Sequence, residues 1–224
     1  MKRLFLFVIL VTSLAACKKS EVEAVDWHYD YFDLTPGRYI IYDVVEINHS
    51  QGILGSDTTE YQLKTVIGDT ITDNEGRIAR EFLRYKRSNE IENWVLTDLW
   101  TTIISDYRAE LVEENQRVVK MVFVPTINKT WDANAYNTKE ELECYYDELH
   151  KNYLVGNQSF DSTIIVEQAD DLNLIKYERQ YEVYATGIGL IKKHYRDLNI
   201  NNFNVQDIND GYELFMDIVS YGIE

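Results

Sequence analysis

Apolar and polar residues alternate along most of this chain, in short runs rich in Val, Ile, Thr, Tyr, Phe and Trp that Gly, Asn and Asp interrupt. That is the pattern of β-strands. Residues 38–47 carry Tyr39, Ile41, Val45 and Ile47 on one face and Ile40, Tyr42 and Val44 on the other. Being apolar on both faces, this strand is expected in the middle of a sheet. Residues 60–67 set Tyr61, Leu63 and Ile67 against Gln62 and Lys64, which suits a strand with one wet face. Asp73-Asn74-Glu75-Gly76 reads as a hairpin turn into a strand over 77–87. The pattern continues over 94–104, and 109–112 pairs with 118–124 across Glu113-Glu114-Asn115-Gln116, with Pro125 ending the run. Residues 162–168, 175–184 and 188–195 form a further antiparallel series, with turns at 170–173 and around Gly187.

Two segments read in two ways. Over 138–153, Thr138 and Glu141 form a capping box, and Leu142, Tyr145, Tyr146, Leu149 and Tyr153 follow helical spacing. Leu142, Cys144 and Tyr146 also alternate as a strand would, so the segment stays open between the two. In 204–219, Asn209-Asp210-Gly211 would interrupt a helix, which favours a final strand over 212–219. Short connections favour a meander over parallel βαβ units. The expected fold is therefore mainly β. It is one domain on a large curved antiparallel sheet with meander connections and at most one or two short helices.

The start of the chain breaks this pattern. Lys2 and Arg3 precede an unbroken apolar run over 4–11, followed by Thr12, Ser13, Leu14, Ala15, Ala16 and Cys17. These are the cationic, apolar and small-residue regions of a secretory signal. The run is short of the about 20 residues needed to cross a membrane. Leu14-Ala15-Ala16-Cys17 resembles the bacterial lipobox, in which the cysteine thiol receives a diacylglycerol before cleavage. The expected organisation is a removed signal peptide over 1–16, a lipidated tether over 17–26 and an extracytoplasmic β-rich domain over 27–224. Acyl chains on Cys17, palmitate among them, contribute about 0.8 kcal/mol per buried methylene and hold the domain to the membrane.

With Cys17 lipidated, Cys144 has no internal partner, so no disulfide is expected, and a lone cysteine among aromatic residues reads as a core filler. The formal net charge of −16 becomes −18 when Lys2 and Arg3 leave with the signal. Such a surface repels phosphate polymers and anionic headgroups, so no nucleic acid is expected as a partner, and membrane attachment falls to the lipid.

Catalytic chemistry finds little support. The sequence has no Gly-x-Ser-x-Gly elbow and no Ser-x-x-Lys motif. His28, His49, His150 and His194 are scattered and no Cys-x-x-Cys exists, so no metal site or cofactor is expected. Asp207-Ile208-Asn209-Asp210-Gly211 is one residue short of a calcium loop and lacks its distal Glu, and reads as a turn. Gly187-Ile188-Gly189 lacks the third glycine of a dinucleotide fingerprint and reads as a bulge or a close backbone approach. Glu113, Glu114, Asp170 and Asp171 are the acids that would serve a glycoside hydrolase, although neighbours on a strand face opposite ways. The aromatic cluster Trp27, His28, Tyr29, Tyr31 and Phe32 reads as the stretch that pins the chain's entry onto the sheet.

Three segments, Tyr31-Phe32-Asp33-Leu34-Thr35-Pro36-Gly37-Arg38-Tyr39-Ile40-Ile41-Tyr42, Thr130-Trp131-Asp132-Ala133-Asn134-Ala135-Tyr136-Asn137 and Tyr184-Ala185-Thr186-Gly187-Ile188-Gly189-Leu190-Ile191, together resemble uncharacterised outer-membrane lipoproteins of the Bacteroidota. The resemblance spans most of residues 27–224 and implies an all-β domain, with a strand in place of the candidate helix. It brings no activity. Asp57-Thr58-Thr59, Asp69-Thr70-Ile71 and Asp161-Ser162-Thr163 resemble the O-glycosylation tripeptide of exported proteins of that group, which makes Thr58, Thr70 and Ser162 candidate glycan sites. The functional expectation is a non-enzymatic binding or interaction module anchored in the outer membrane, facing the cell surface or the periplasm. Its partner is a glycan, a protein or an apolar ligand. A glycan-acting hydrolase with paired carboxylates and a carrier of a lipid-like molecule are the alternatives.

Overall fold

The computed structural model describes residues 24–51 and 55–224. The signal segment, Cys17 and most of the tether lie outside the described residues. Six strands follow one another as a meander: β1 (Arg38–Ser50), β2 (Asp57–Thr72), β3 (Ile78–Arg87), β4 (Val95–Ser105), β5 (Arg108–Glu113) and β6 (Gln116–Val122). A second meander holds β7 (Thr130–Asp132), β8 (Glu143–Val155), β9 (Gln158–Leu172), β10 (Lys176–Ala185), β11 (Gly189–Asn201) and β12 (Asn204–Ile223). The two are joined by antiparallel pairing of β1 with β12, from Arg38 opposite Ile223 to Ser50 opposite Asp210. The result is one antiparallel sheet in the order β6-β5-β4-β3-β2-β1-β12-β11-β10-β9-β8-β7.

The strand that is apolar on both faces, β1, sits at the centre of this order, as its sequence predicts. Register shifts at Ile41/Tyr42, Ile67/Thr70, Ala109/Glu110 and Val183/Tyr184 add local twist, which curls the sheet. Its two edges come together. The Val119 amide donates to the Ala133 carbonyl at 2.9 Å, and the Trp131 indole donates to the Val119 carbonyl at 3.0 Å. The sheet is thus nearly closed and barrel-like, which leaves little unpaired edge.

Period-two alternation then separates inside from outside. Tyr42 stands opposite Leu63 and Ile218, and Val44 opposite Met216, all buried inside. Asp43, Gln62, Lys192 and Asp217 take the alternate positions, where the Gln62 amide donates to Asp43 at 2.8 Å and Lys192 pairs with Asp217 at 2.5 Å. A second core seals the seam between the edges, built on Tyr31, Met121, Phe123, Cys144, Tyr146 and Ile164. Within it the Tyr146 hydroxyl donates to the Val122 carbonyl at 2.8 Å and accepts from the Val122 amide at 3.0 Å.

The ambiguous segments resolve as strands. Residues 143–155 are β8, with Cys144 and Tyr146 buried as the alternation requires, because β9 offers a full-length hydrogen-bonding partner. The turn read at 207–211 is overturned: β12 runs straight through it. Gly211 has φ of 142°, and a Cβ there would meet the Asp197 carbonyl of β11 at 2.4 Å, so glycine permits a close strand approach and does not mark a turn. The turn read at 170–173 falls later, since β9 continues to Leu172, and the Asn173 side chain accepts from the Ile175 and Lys176 amides.

A short 3-10 turn, Tyr29–Phe32, is the helical element among the described residues. It packs against the β10–β11 turn, where the Gly187 amide donates to the Asp30 carbonyl at 2.8 Å, and against the β4–β5 turn, where the Tyr29 hydroxyl donates to the Asp106 carbonyl at 3.0 Å. Tyr31 is 1% exposed, so the aromatic entry segment does pin the chain to the sheet. Strand directions place the β9–β10 and β11–β12 turns at the opposite end of the barrel.

Candidate functional site

The barrel interior holds a cavity of about 260 Å³. Its walls are mostly apolar side chains from several strands, among them Ile40, Leu63, Ile67, Phe82, Leu111 and Met216. Phe32, Asp33 and Leu34, which follow the 3-10 turn, line the same cavity, so the entry segment forms part of the site. The remaining lining is charged. Arg38, Arg84, Lys120 and Lys193 supply four cations, and Asp33, Glu113 and Glu182 three carboxylates.

At the centre of this polar part stands Glu182 on β10, 1% exposed. One carboxylate oxygen accepts from Lys120 Nζ at 2.7 Å and lies 3.2 Å from Lys193 Nζ. The other accepts from the Tyr184 hydroxyl at 2.6 Å. Register explains the meeting: Glu182 lies directly opposite Lys193 on β11, Tyr184 follows two positions later on the same face of β10, and Lys120 reaches in from β6. Burial pushes the Glu182 carboxyl upward. Lys120, Lys193 and the Tyr184 bond outweigh burial and bring it from 4.5 down to about 2. Lys120 is correspondingly raised: burial works against its charge, and Glu182 and Glu113 outweigh burial.

Tyr42 sits beside this group, its hydroxyl donating to the Leu190 carbonyl at 2.8 Å, and burial pushes it far above the ordinary tyrosine value. Arg84 lies 4.1 Å over the Trp100 ring and pairs with Asp98 at 3.1 Å, while Arg38 pairs with Asp33 at 2.8 Å. The cavity is thus an apolar chamber with one fixed polar corner.

The acids named from the sequence do not converge. Glu113 lines the cavity, but Glu114 lies in the β5–β6 turn, accepting from the Trp100 indole at 3.3 Å. Asp170 and Asp171 are exposed near the end of β9. Thr58 and Thr70 are exposed on β2, and Thr70 accepts from Arg80. Ser162 is half-buried on β9, its hydroxyl 2.7 Å from that of Tyr31. Cys17 lies outside the described residues. Cys144 is buried and free, and burial first, then Glu182, pushes its thiol up to about 12. Of the histidines, His28 and His150 do meet, with ring centroids 4.7 Å apart, yet no group of three or more metal-binding side chains exists among the described residues.

Lys120, Glu182 and Lys193 escaped the sequence reading. Lys120 and Glu182 are each a single charge inside an apolar strand run, Val118-Val119-Lys120-Met121-Val122 and Tyr181-Glu182-Val183-Tyr184, whereas Lys193, next to Lys192, carries no such signal. A charge at an inward position requires a partner, and here the partners are three strands that only the closed sheet brings together. No protein-family model matches the chain, and no curated protein or solved structure matches it significantly.

Proposed function

We propose that the chain is the binding module of a membrane-anchored lipoprotein, a non-enzymatic barrel that takes a small, largely apolar ligand into its interior. The observation that carries this reading is the chamber of about 260 Å³ walled mostly by apolar side chains and lined in part by the entry segment. Concave, mostly apolar chambers with a few fixed polar groups are the usual form of small-molecule sites. Glycoside hydrolysis fits poorly. A general acid must be protonated at working pH, whereas the buried Glu182 is held ionised by two ammonium groups.

The outer face supports a domain bathed in water. Asp43, Lys192, Asp217 and Arg196 interrupt the apolar residues of the outer face, which a membrane-spanning barrel keeps as an unbroken apolar band. No helix among the described residues is long and apolar enough to cross a membrane. Anchorage through lipid on Cys17 in the outer membrane would bring the tether in at the end that the entry segment lines.

Residues 24–224 contain the whole sheet and both cores, so a chain beginning at Ala24 carries every contact described above. In that chain, the neutral fluorophore N-phenylnaphthylamine should bind at one saturable site. Ile67→Phe, which fills the chamber from β2, should weaken binding while the far-ultraviolet dichroism stays unchanged. Absence of saturable binding, or indifference to Ile67→Phe, would sink the reading. So would turnover on a broad panel of glycoside and ester substrates.

A further inference from the structure

Charge inside the chamber is unevenly matched. Arg38 has Asp33 at 2.8 Å, Arg84 has Asp98 at 3.1 Å and Lys120 has Glu182 at 2.7 Å. Among the described residues, Lys193 pairs with that same Glu182, at the longer distance of 3.2 Å. The other oxygen of the carboxylate accepts from the Tyr184 hydroxyl. Glu113 also lines the chamber, and its field acts on Lys120. An ammonium carries three donors, and Glu182 occupies one. Lys193, its side chain 25% exposed, therefore reaches the chamber with donors to spare beside apolar walls.

Resting on the reading of the chamber as a ligand site, we propose that its ligand is a small single-tailed amphiphile with one anionic group, a carboxylate or its equivalent, bound to Lys193. The apolar walls take the tail, and the anion accepts from the donors that Glu182 leaves free on the Lys193 ammonium. Size sets the class as firmly as charge. At about 30 Å³ for a water- or methylene-sized group, the chamber holds on the order of ten such groups, enough for one medium-length chain and too few for a two-tailed lipid.

The test compares heads on one tail. Decanoate, decanol and decylammonium are titrated calorimetrically into the chain beginning at Ala24, in a zwitterionic buffer at neutral pH and low salt. Decanoate should bind roughly ten- to a hundredfold more tightly than decanol, the range of one charge-assisted hydrogen bond, and decylammonium should bind weakest. In Lys193→Met, which keeps the length of the side chain and removes the charge, decanoate and decanol should come within about threefold of each other, with decanol affinity retained. Lys193→Arg should keep the preference. Wild-type decanol binding that equals or exceeds decanoate overturns the anionic ligand while leaving the chamber a binding site. A decanoate preference that survives Lys193→Met overturns the role of Lys193. If none of the three binds, the chamber reading falls and the proposal with it. The head-group comparison on the wild-type chain decides the sign of the charge even should the variants fail to fold.

Discussion

The Tyr184 hydroxyl donates to the Glu182 carboxylate across 2.6 Å, from two positions along the same strand. Side chains two apart on a strand share a face, so this bond fixes both groups on the interior of the barrel, where Lys120 and Lys193 complete the cluster. A buried carboxylate is tolerated only while these partners hold it, and its removal strands two ammonium groups.

Glu182→Gln should therefore destabilise the protein by about 3–5 kcal/mol, the usual result of breaking a buried ion pair. Adding Lys120→Met should recover part of the loss, since it removes one of the stranded charges, and urea unfolding of the two variants and the pair measures this as a double-mutant cycle. The pH dependence has a definite sign. The Glu182 carboxyl lies near 2 in the folded chain and 4.5 in the unfolded one. Between these values the unfolded state binds more protons, so the stabilisation is complete above pH 4.5 and disappears as the pH falls toward 2. The Glu182→Gln variant should show a flatter acid limb over that interval, and an unchanged limb would contradict the assignment.

How much of this was written legibly in the chain depends on the range of the interaction. Alternation in β1 gave both its existence and its central place, because a strand buried on two faces must have apolar residues on both. The 143–155 segment could not be settled locally. Its helical spacing and capping box are real, but β9 pairs with it over its length, and that partner is a tertiary fact. Asn209-Asp210-Gly211 misled for a similar reason: the glycine answers to the Asp197 backbone of a neighbouring strand. The site was the least legible part. Lys120 and Glu182 are 62 positions apart, and nothing in either run names the other.

His194 on the outer face makes a separate prediction. Its ring stacks on Tyr181 at 5.0 Å and meets the edge of Phe215 at 4.8 Å, and its buried Nε2 has no hydrogen-bond partner among the described residues. Burial, then Arg196, Lys192 and Arg179, bring its pKa from 6.5 down to about 4, with Glu213 opposing. The unfolded state takes up this proton first, so the contribution of His194 to stability falls as the pH drops from 6.5 to 4. His194→Phe should remove that dependence and raise the thermal midpoint at pH 5. A variant less stable than wild type at pH 5 would count against it.

Cys144 reports on the seam. Its thiol is buried beneath the contacts that join β6 to β8 and is held near 12, so at pH 8 almost none is thiolate. Iodoacetamide should label the chain beginning at Ala24 only as fast as it opens, with labelling accelerated by urea in step with loss of the native dichroism. Rapid labelling of the native protein would mean that the barrel opens along this seam without unfolding.

Glycan attachment, if it occurs, should discriminate among the three tripeptides on grounds of structure alone. Thr58 and Thr70 are exposed on β2, and a sugar on either would project into solvent. Ser162 is different. Its hydroxyl lies 2.7 Å from the Tyr31 hydroxyl, which also reaches His150 Nδ1 at 2.7 Å, and Tyr31 is the buried anchor of the entry segment. A sugar at Ser162 would displace that tyrosine from the seam and cost the burial of a large aromatic side chain, about 2–3 kcal/mol. Peptide mapping of the native protein should therefore find hexose-bearing peptides containing Thr58 or Thr70 and an unmodified peptide containing Ser162. Full occupancy at Ser162 would show that the entry segment docks differently in the glycosylated protein.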